Sequence, residues 1–231
     1  MGTVSDRYQT LEGVVLRRRA LPSGDLVVGV LTPGGPVEAL ARSAQRPGGR
    51  SGRIGLFYRV RFQVYRRPER ELATLTQVAL EEALASQKPL RYAAQGFLGE
   101  LAWRTVSPEI AGRGYPVLVS ALRGVKEAEE PRVPLVWGGF RLLLHAGHAP
   151  TGAGPYLHLE GHLAPEPAPG AVFLGEEGAA ALKAVLTQPG QKAIRRLAEA
   201  PLDRLVEGLL RYAEAQLEGL LSVRALRRLL A

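Results

Sequence analysis

Cysteine is absent from the 231 residues. Its absence excludes disulfides, thiolate zinc sites, iron–sulfur ligation and a cysteine nucleophile together, and it points to a reducing compartment or a chain that avoids thermolabile side chains. Long apolar runs are missing too: nowhere do about 18 apolar residues follow one another, so the sequence predicts no membrane span. The opening MGTVSDRYQT has no basic segment ahead of an apolar one, which argues against a secretory signal. A cytoplasmic protein is expected. Lysine is scarce, four against 26 arginines; the planar guanidinium suits phosphate and base stacking, but genomic composition or a hot habitat gives the same bias.

The positive charge that is present is unevenly placed. Residues 1–80 hold 13 arginines, no lysine and six acids, an excess of seven, whereas residues 81–231 are close to neutral with 17 basic and 16 acidic residues. A basic segment joined to a near-neutral one is the electrostatic footprint of a polyanion-binding module on a scaffold, nucleic acid being the foremost polyanion. Charge asymmetry alone leaves a second reading level with it: a basic adaptor that docks an acidic protein partner without touching DNA.

Two textures divide the chain into a domain at 1–80 and one at 81–231. In the first, TLEGVVLRR, DLVVGVLT, PVEALARS, GLFYRVRFQVY and LATLTQVAL read as five strands separated by Gly and Pro turns. Along the fourth, Leu56, Tyr58, Val60, Phe62 and Val64 share one face, and Phe57, Arg59, Arg61, Gln63 and Tyr65 the other. Five short strands without long intervening helices suit a small closed barrel of the OB type, with an SH3-like barrel as the alternative. Between the third and fourth strands, RSAQRPGGRSGRIG carries Arg42, Arg46, Arg50 and Arg53 among glycines and is read as a loop. It could mould itself to a phosphate backbone or simply be solvated.

Beyond residue 80 apolar residues recur three and four apart, predicting helices over 78–86, 90–105, 115–125, 135–146, 178–186, 191–200 and 202–221. The fold class expected is therefore α+β, a five-stranded barrel followed by a mostly helical domain. A Gly/Pro-rich excursion at 147–170, with one hairpin around 156–163, interrupts the helices. Its histidines, His145 and His148, then His158 and His162 beside Glu160, have spacings that can bind a divalent cation. Pro and Gly leave no helix to align them, so surface histidines are the favoured reading. No phosphate-cradling GxxxxGK[ST], GxSxG or Asp-rich metal cluster occurs, and no enzyme is predicted. Trp103 and Trp137, at helical core spacing, are read as packing residues.

The order of these features resembles a known family. LEGVVLRRR, the GD turn, VLTPGGPVEALARSAQRPGGR and LATLT are similar to the N-terminal OB domain of the bacterial RecO recombination mediator; FRLLLHAGHAP and LVEGLLRYAEAQLEGLLSVRALRRLL are similar to its later helices. The likeness covers nearly the whole chain. One departure is plain: Ala164 and Pro167 stand where family members commonly carry paired cysteines of a four-cysteine zinc motif. The resemblance implies a DNA-repair protein that binds single- and double-stranded DNA, anneals complementary strands, and with RecR assists RecA loading on strands coated by single-stranded DNA-binding protein (SSB), without a cofactor. Candidate phosphate contacts are Arg17, Arg18, Arg19, Arg42, Arg46, Arg50, Arg53, Arg59 and Arg61, with Arg66 and Arg67 at a strand end. Some of Arg17, Arg18 and Arg19 are expected to pair with Glu12 or Asp25. Phe57 and Tyr65 are candidate stacking rings. The resemblance also implies a pocket for the acidic C-terminal tail of SSB, with Arg123, Lys126, Arg132 and Arg141 as candidate rim residues.

Overall fold

A computed structural model describes residues 7–45, 53–67 and 72–230. The Cα framework divides into two units, residues 1–85 with 107–115, and residues 86–106 with 116–231.

The first unit is a closed five-stranded barrel built from β1 (Tyr8–Ala20), β2 (Leu26–Thr32), β3 (Gly35–Ala41), β4 (Tyr58–Tyr65) and β5 (Ala73–Ala83), in the order β1-β2-β3-β5-β4. β1 closes the barrel by pairing with both β2 and β4, and the single parallel ladder joins β3 to β5. This is the five-stranded OB arrangement. β1 reaches both neighbours because it coils: a Cβ on Gly13 would lie 2.4 Å from the Leu31 carbonyl oxygen, so only glycine lets the strands approach there. A bulge between Val15 and Arg17 then turns the rest of the strand. The β2–β3 hairpin is locked by Thr32, whose hydroxyl donates to the Gly35 carbonyl at 2.8 Å and accepts from the Gly34 N–H at 3.1 Å. Val15, Val28, Val30, Val60, Phe62, Val64 and Leu75 fill the interior.

Two sequence expectations change here. The helical period over 78–86 belongs to the far half of β5, which runs on to Ala83 opposite Tyr58. Phe57 is not on the outer face of β4. It precedes the strand in left-handed backbone (φ +60°) and is buried, because the alternation does not extend across that turn.

The second unit contains α1 (Pro89–Thr105), the later part of α2 (Ala111–Glu127), α3 (Arg132–His145), α4 (Gly175–Thr187), α5 (Gly190–Ala198), α6 (Leu202–Gln216) and α7 (Leu221–Leu230). Its core includes Phe97, Leu98, Leu101, Leu118, Leu122, Leu135 and Phe140. Small residues let helices touch: a Cβ on Gly138 would sit 2.4 Å from that of Ala121, and one on Gly139 2.6 Å from a Leu209 methyl. The buried Gln95 amide accepts from the Ser86 N–H at 2.9 Å and donates to the Leu122 carbonyl at 3.0 Å. Arg91 donates to the Val125 and Lys126 carbonyls, satisfying the open end of α2.

The expected hairpin in the excursion is present and is extended into a four-stranded sheet, β6 (Thr151–Gly152), β7 (Tyr156–His158), β8 (His162–Ala164) and β9 (Val172–Phe173), in the order β6-β8-β7-β9. Helix α6 braces it: Gln216 donates to the Leu159 carbonyl at 2.9 Å and the Tyr212 hydroxyl to that of His148 at 3.0 Å. No helix among the described residues is long and apolar enough to cross a membrane.

Candidate nucleic-acid interface

The strand register sets which candidate side chains are neighbours. Arg19 is paired with Val27, Val27 with Leu40, Leu40 with Thr74, Thr74 with Tyr65, and Tyr65 with Tyr8. Directly opposed residues share a face. The core takes the alternate positions Val28, Ala39, Ala73 and Val64, so this line runs across the outside of the barrel. With strands about 4.8 Å apart, Arg19 lies about 10 Å from Leu40, two residues before Arg42, and Leu40 about 10 Å from Tyr65.

The arginines of the barrel differ in how they are held. Arg18, Arg19, Arg42 and Arg53 are exposed and form no ion pair among the described residues. Arg17 meets Glu38 at 3.9 Å, not Glu12 or Asp25 as expected. Glu12 is taken by Arg59, and the Asp25 carboxylate accepts from the Ser43 N–H at 2.7 Å, holding the end of β3 to the start of β2. Arg61 meets Glu81 at 3.2 Å. Exposed pairs of this kind contribute about 0–1 kcal/mol, so Arg17 and Arg61 can exchange a carboxylate for a phosphate at small cost.

Arg59 differs. It is partly buried between Glu12 at 3.4 Å and Glu82 at 3.9 Å. Burial works against its charge, but Tyr115 and Glu12 outweigh that and hold the guanidinium above its ordinary value. Burial in turn pushes the Tyr115 phenol up, with Arg59 pulling it back. Arg59 is therefore part of the barrel's internal charge balance rather than of its free surface. Arg46 and Arg50 lie outside the described residues.

At the far end of the line two rings meet. Tyr8 and Tyr65 lie 4.8 Å apart between centroids at 41°, with the Arg67 guanidinium 5.6 Å from the Tyr65 centroid. A hydrogen bond from Arg7, helped by Arg67, holds the Tyr65 phenol below its ordinary value. Tyr8 is 46% exposed. Phe57, the other ring expected to stack, is buried; Tyr8, absent from the sequence candidates, takes its place. Its signal was weak, because only strand register shows that residues 57 positions apart are neighbours.

Residues 7–84 match the family model described as Recombination protein O N terminal, and the match ends within the first unit. The chain carries the RecO-family N-terminal domain. The match spans all five strands of the RecO barrel, including the arginines and rings just placed. No curated protein matches the chain. A four-cysteine zinc motif of the kind common in RecO proteins does not fit here: cysteine is absent, and Ala164 ends β8 while Pro167 lies in the loop beyond it.

Of the candidate rim residues of the helical unit, Arg132 and Arg141 are engaged at separate points of α3. Arg132 begins α3, bound to Glu130 and Asp203 at 2.5 Å each; Arg141, nine residues on and about 13 Å along the helix, donates to the Gln188 carbonyl, and burial holds its charge below the usual value. Arg123 and Lys126 are half-buried on α2. A separate basic cleft of about 450 Å³ lies between α4 and α5, lined by Gln188, Lys192, Arg195, Arg196 and Glu199, residues the sequence reading did not single out.

Proposed function

We propose that this chain is a DNA-binding recombination mediator whose barrel holds a nucleic-acid backbone along the outer line from Arg19, past Arg42, to Tyr65 and Tyr8, with Arg18 and Arg53 as further exposed cations of the barrel. The observation that carries this is the combination of exposed Arg19 and Arg42, without carboxylate partners among the described residues, and an aromatic pair at the end of the same line. Arginines neutralise phosphates and release counterions, which gives affinity with little sequence preference, and bases stack on the rings. Arg17 and Arg61 join once they release Glu38 and Glu81. A surface that grips backbones without reading bases can hold two complementary strands, which is the physical requirement for annealing.

On this reading the protein works without turnover of its own and, with RecR, assists RecA loading on SSB-coated strands. The acidic tail of SSB is assigned to the cleft of Lys192, Arg195 and Arg196, where the cations are exposed and, among the described residues, only Arg196 meets a carboxylate, Glu199 at 3.7 Å, rather than to Arg132 and Arg141, which are already engaged.

Titration of labelled single strands of contrasting base composition, followed by anisotropy at several salt concentrations, tests the reading. Strong salt dependence, little dependence on composition, and faster annealing of complementary strands are expected. Negligible affinity near physiological salt, together with binding to an acidic protein, would instead make the barrel an adaptor.

A further inference from the structure

His158, Glu160 and His162 bring their ligand atoms within 4.8 Å of one another at the tip of the β7–β8 hairpin. The fold produces this juxtaposition. His158 and His162 are directly opposed cross-strand partners, and the turn between them is closed by the Gly161 N–H donating to the His158 carbonyl at 3.2 Å, with Gly161 at φ +112°. A residue with a side chain is strained at that φ, so the glycine fixes how the second histidine returns. The two imidazoles lie 4.4 Å apart between centroids. Glu160, in the turn, has no ion pair among the described residues.

His158 is prepared as a ligand. Its Nε2 lies 2.9 Å from the Glu166 carbonyl oxygen. A carbonyl only accepts, so Nε2 carries a proton, and it is Nδ1 that offers a lone pair in the neutral ring, the outer-shell arrangement that orients metal-bound imidazoles. His158 is also buried, 8% exposed, so its ring is held in place. The other two groups are the accessible ones. In a tetrahedral site with bonds near 2.1 Å, ligand atoms are about 3.4 Å apart. Closing a separation of at most 4.8 Å to that value needs only rotamer adjustment of Glu160 and His162.

We propose that His158, Glu160 and His162 bind a first-row divalent cation of borderline softness, with zinc as the natural occupant. Two imidazoles and one carboxylate suit zinc and cobalt over magnesium or calcium, and three protein ligands leave a fourth position for water. The ion staples the hairpin turn and thereby the small sheet braced by α6. The site does not depend on the DNA-binding reading.

The test uses the full chain, dialysed against chelator and titrated with cobalt(II), whose visible absorption reports tetrahedral coordination. One cobalt per chain, displaced by equimolar zinc, is expected, with zinc raising the melting temperature. Loss of an outer-shell partner weakens metal binding about 10- to 100-fold, so loss of a direct ligand in Glu160→Gln or His162→Gln should weaken cobalt at least about tenfold, each variant melting as the chelated wild type does. The pair His145→Gln and His148→Gln should leave binding unchanged. Absence of a saturable cobalt spectrum, wild-type affinity in the Glu160 and His162 variants, or loss of binding in the control pair would each overturn the proposal.

Discussion

Replacing Tyr8 with alanine separates stacking from electrostatics. Tyr8 is half-exposed and tilted against Tyr65 at the end of the line of arginines. One base stacked there contributes about 1–3 kcal/mol, so Tyr8→Ala should weaken single-strand binding by about 5- to 150-fold. No charge is removed, so the slope of log K against log salt should not change. Tyr8 is a half-exposed strand-end residue, so the barrel should melt within a few degrees of the wild type. Tyr8→Phe, which keeps the ring, should retain most of the affinity. The assay is anisotropy of a labelled oligonucleotide at five salt concentrations, with affinity and slope compared. Unchanged affinity in Tyr8→Ala, or lost affinity that Tyr8→Phe does not restore, would refute the stacking role.

Three further outcomes follow from packing and charge. Phe57→Ala empties a buried ring site and should cost about 3–5 kcal/mol, read as a lower denaturation midpoint; a neutral result would put the ring outside the core. Gln95→Leu leaves the buried Ser86 N–H without its Gln95 acceptor, costing about 1–3 kcal/mol, and removes the second donor to the Leu122 carbonyl, so calorimetry should show a lower melting temperature. Glu130, held below the ordinary carboxylate range first by its hydrogen bond from Arg132, has a lower pKa folded than unfolded. Its contribution is therefore complete at neutral pH and is lost as pH falls through the depressed value; Glu130→Gln should flatten the acid limb of the stability profile.

The barrel was largely legible in the sequence because alternation and turn chemistry are local. Val60, Phe62 and Val64 face inward as the period-2 pattern requires, and the Gly/Pro turns fall between strands. The failures have physical causes. Leu80 and Leu84, four apart, fit a helical as well as an extended spacing, so β5 ended too early. Phe57 sits one residue before its strand, where left-handed backbone breaks the alternation. Which arginines are free depends on Glu38, Glu81 and Glu82, brought in by other strands, and only register reveals those pairings. The pairing of Tyr8 with Tyr65 was hidden for the same reason. The histidine spacing was visible, but not the turn that makes opposed neighbours of its second pair.

The central claim, that the exposed arginines of the barrel hold DNA, is tested most directly by charge removal at two places. One variant changes Arg18, Arg19, Arg42 and Arg53 to alanine; the other removes the same charge from the helical unit at Lys192, Arg195, Arg224 and Arg228. Each phosphate contact on a single strand contributes about 0.7 to the salt slope, so the barrel variant should lose up to about 2.8 units of slope and the helical variant almost none. Equal loss in both, or loss in the helical variant alone, would contradict the assignment of DNA to the barrel.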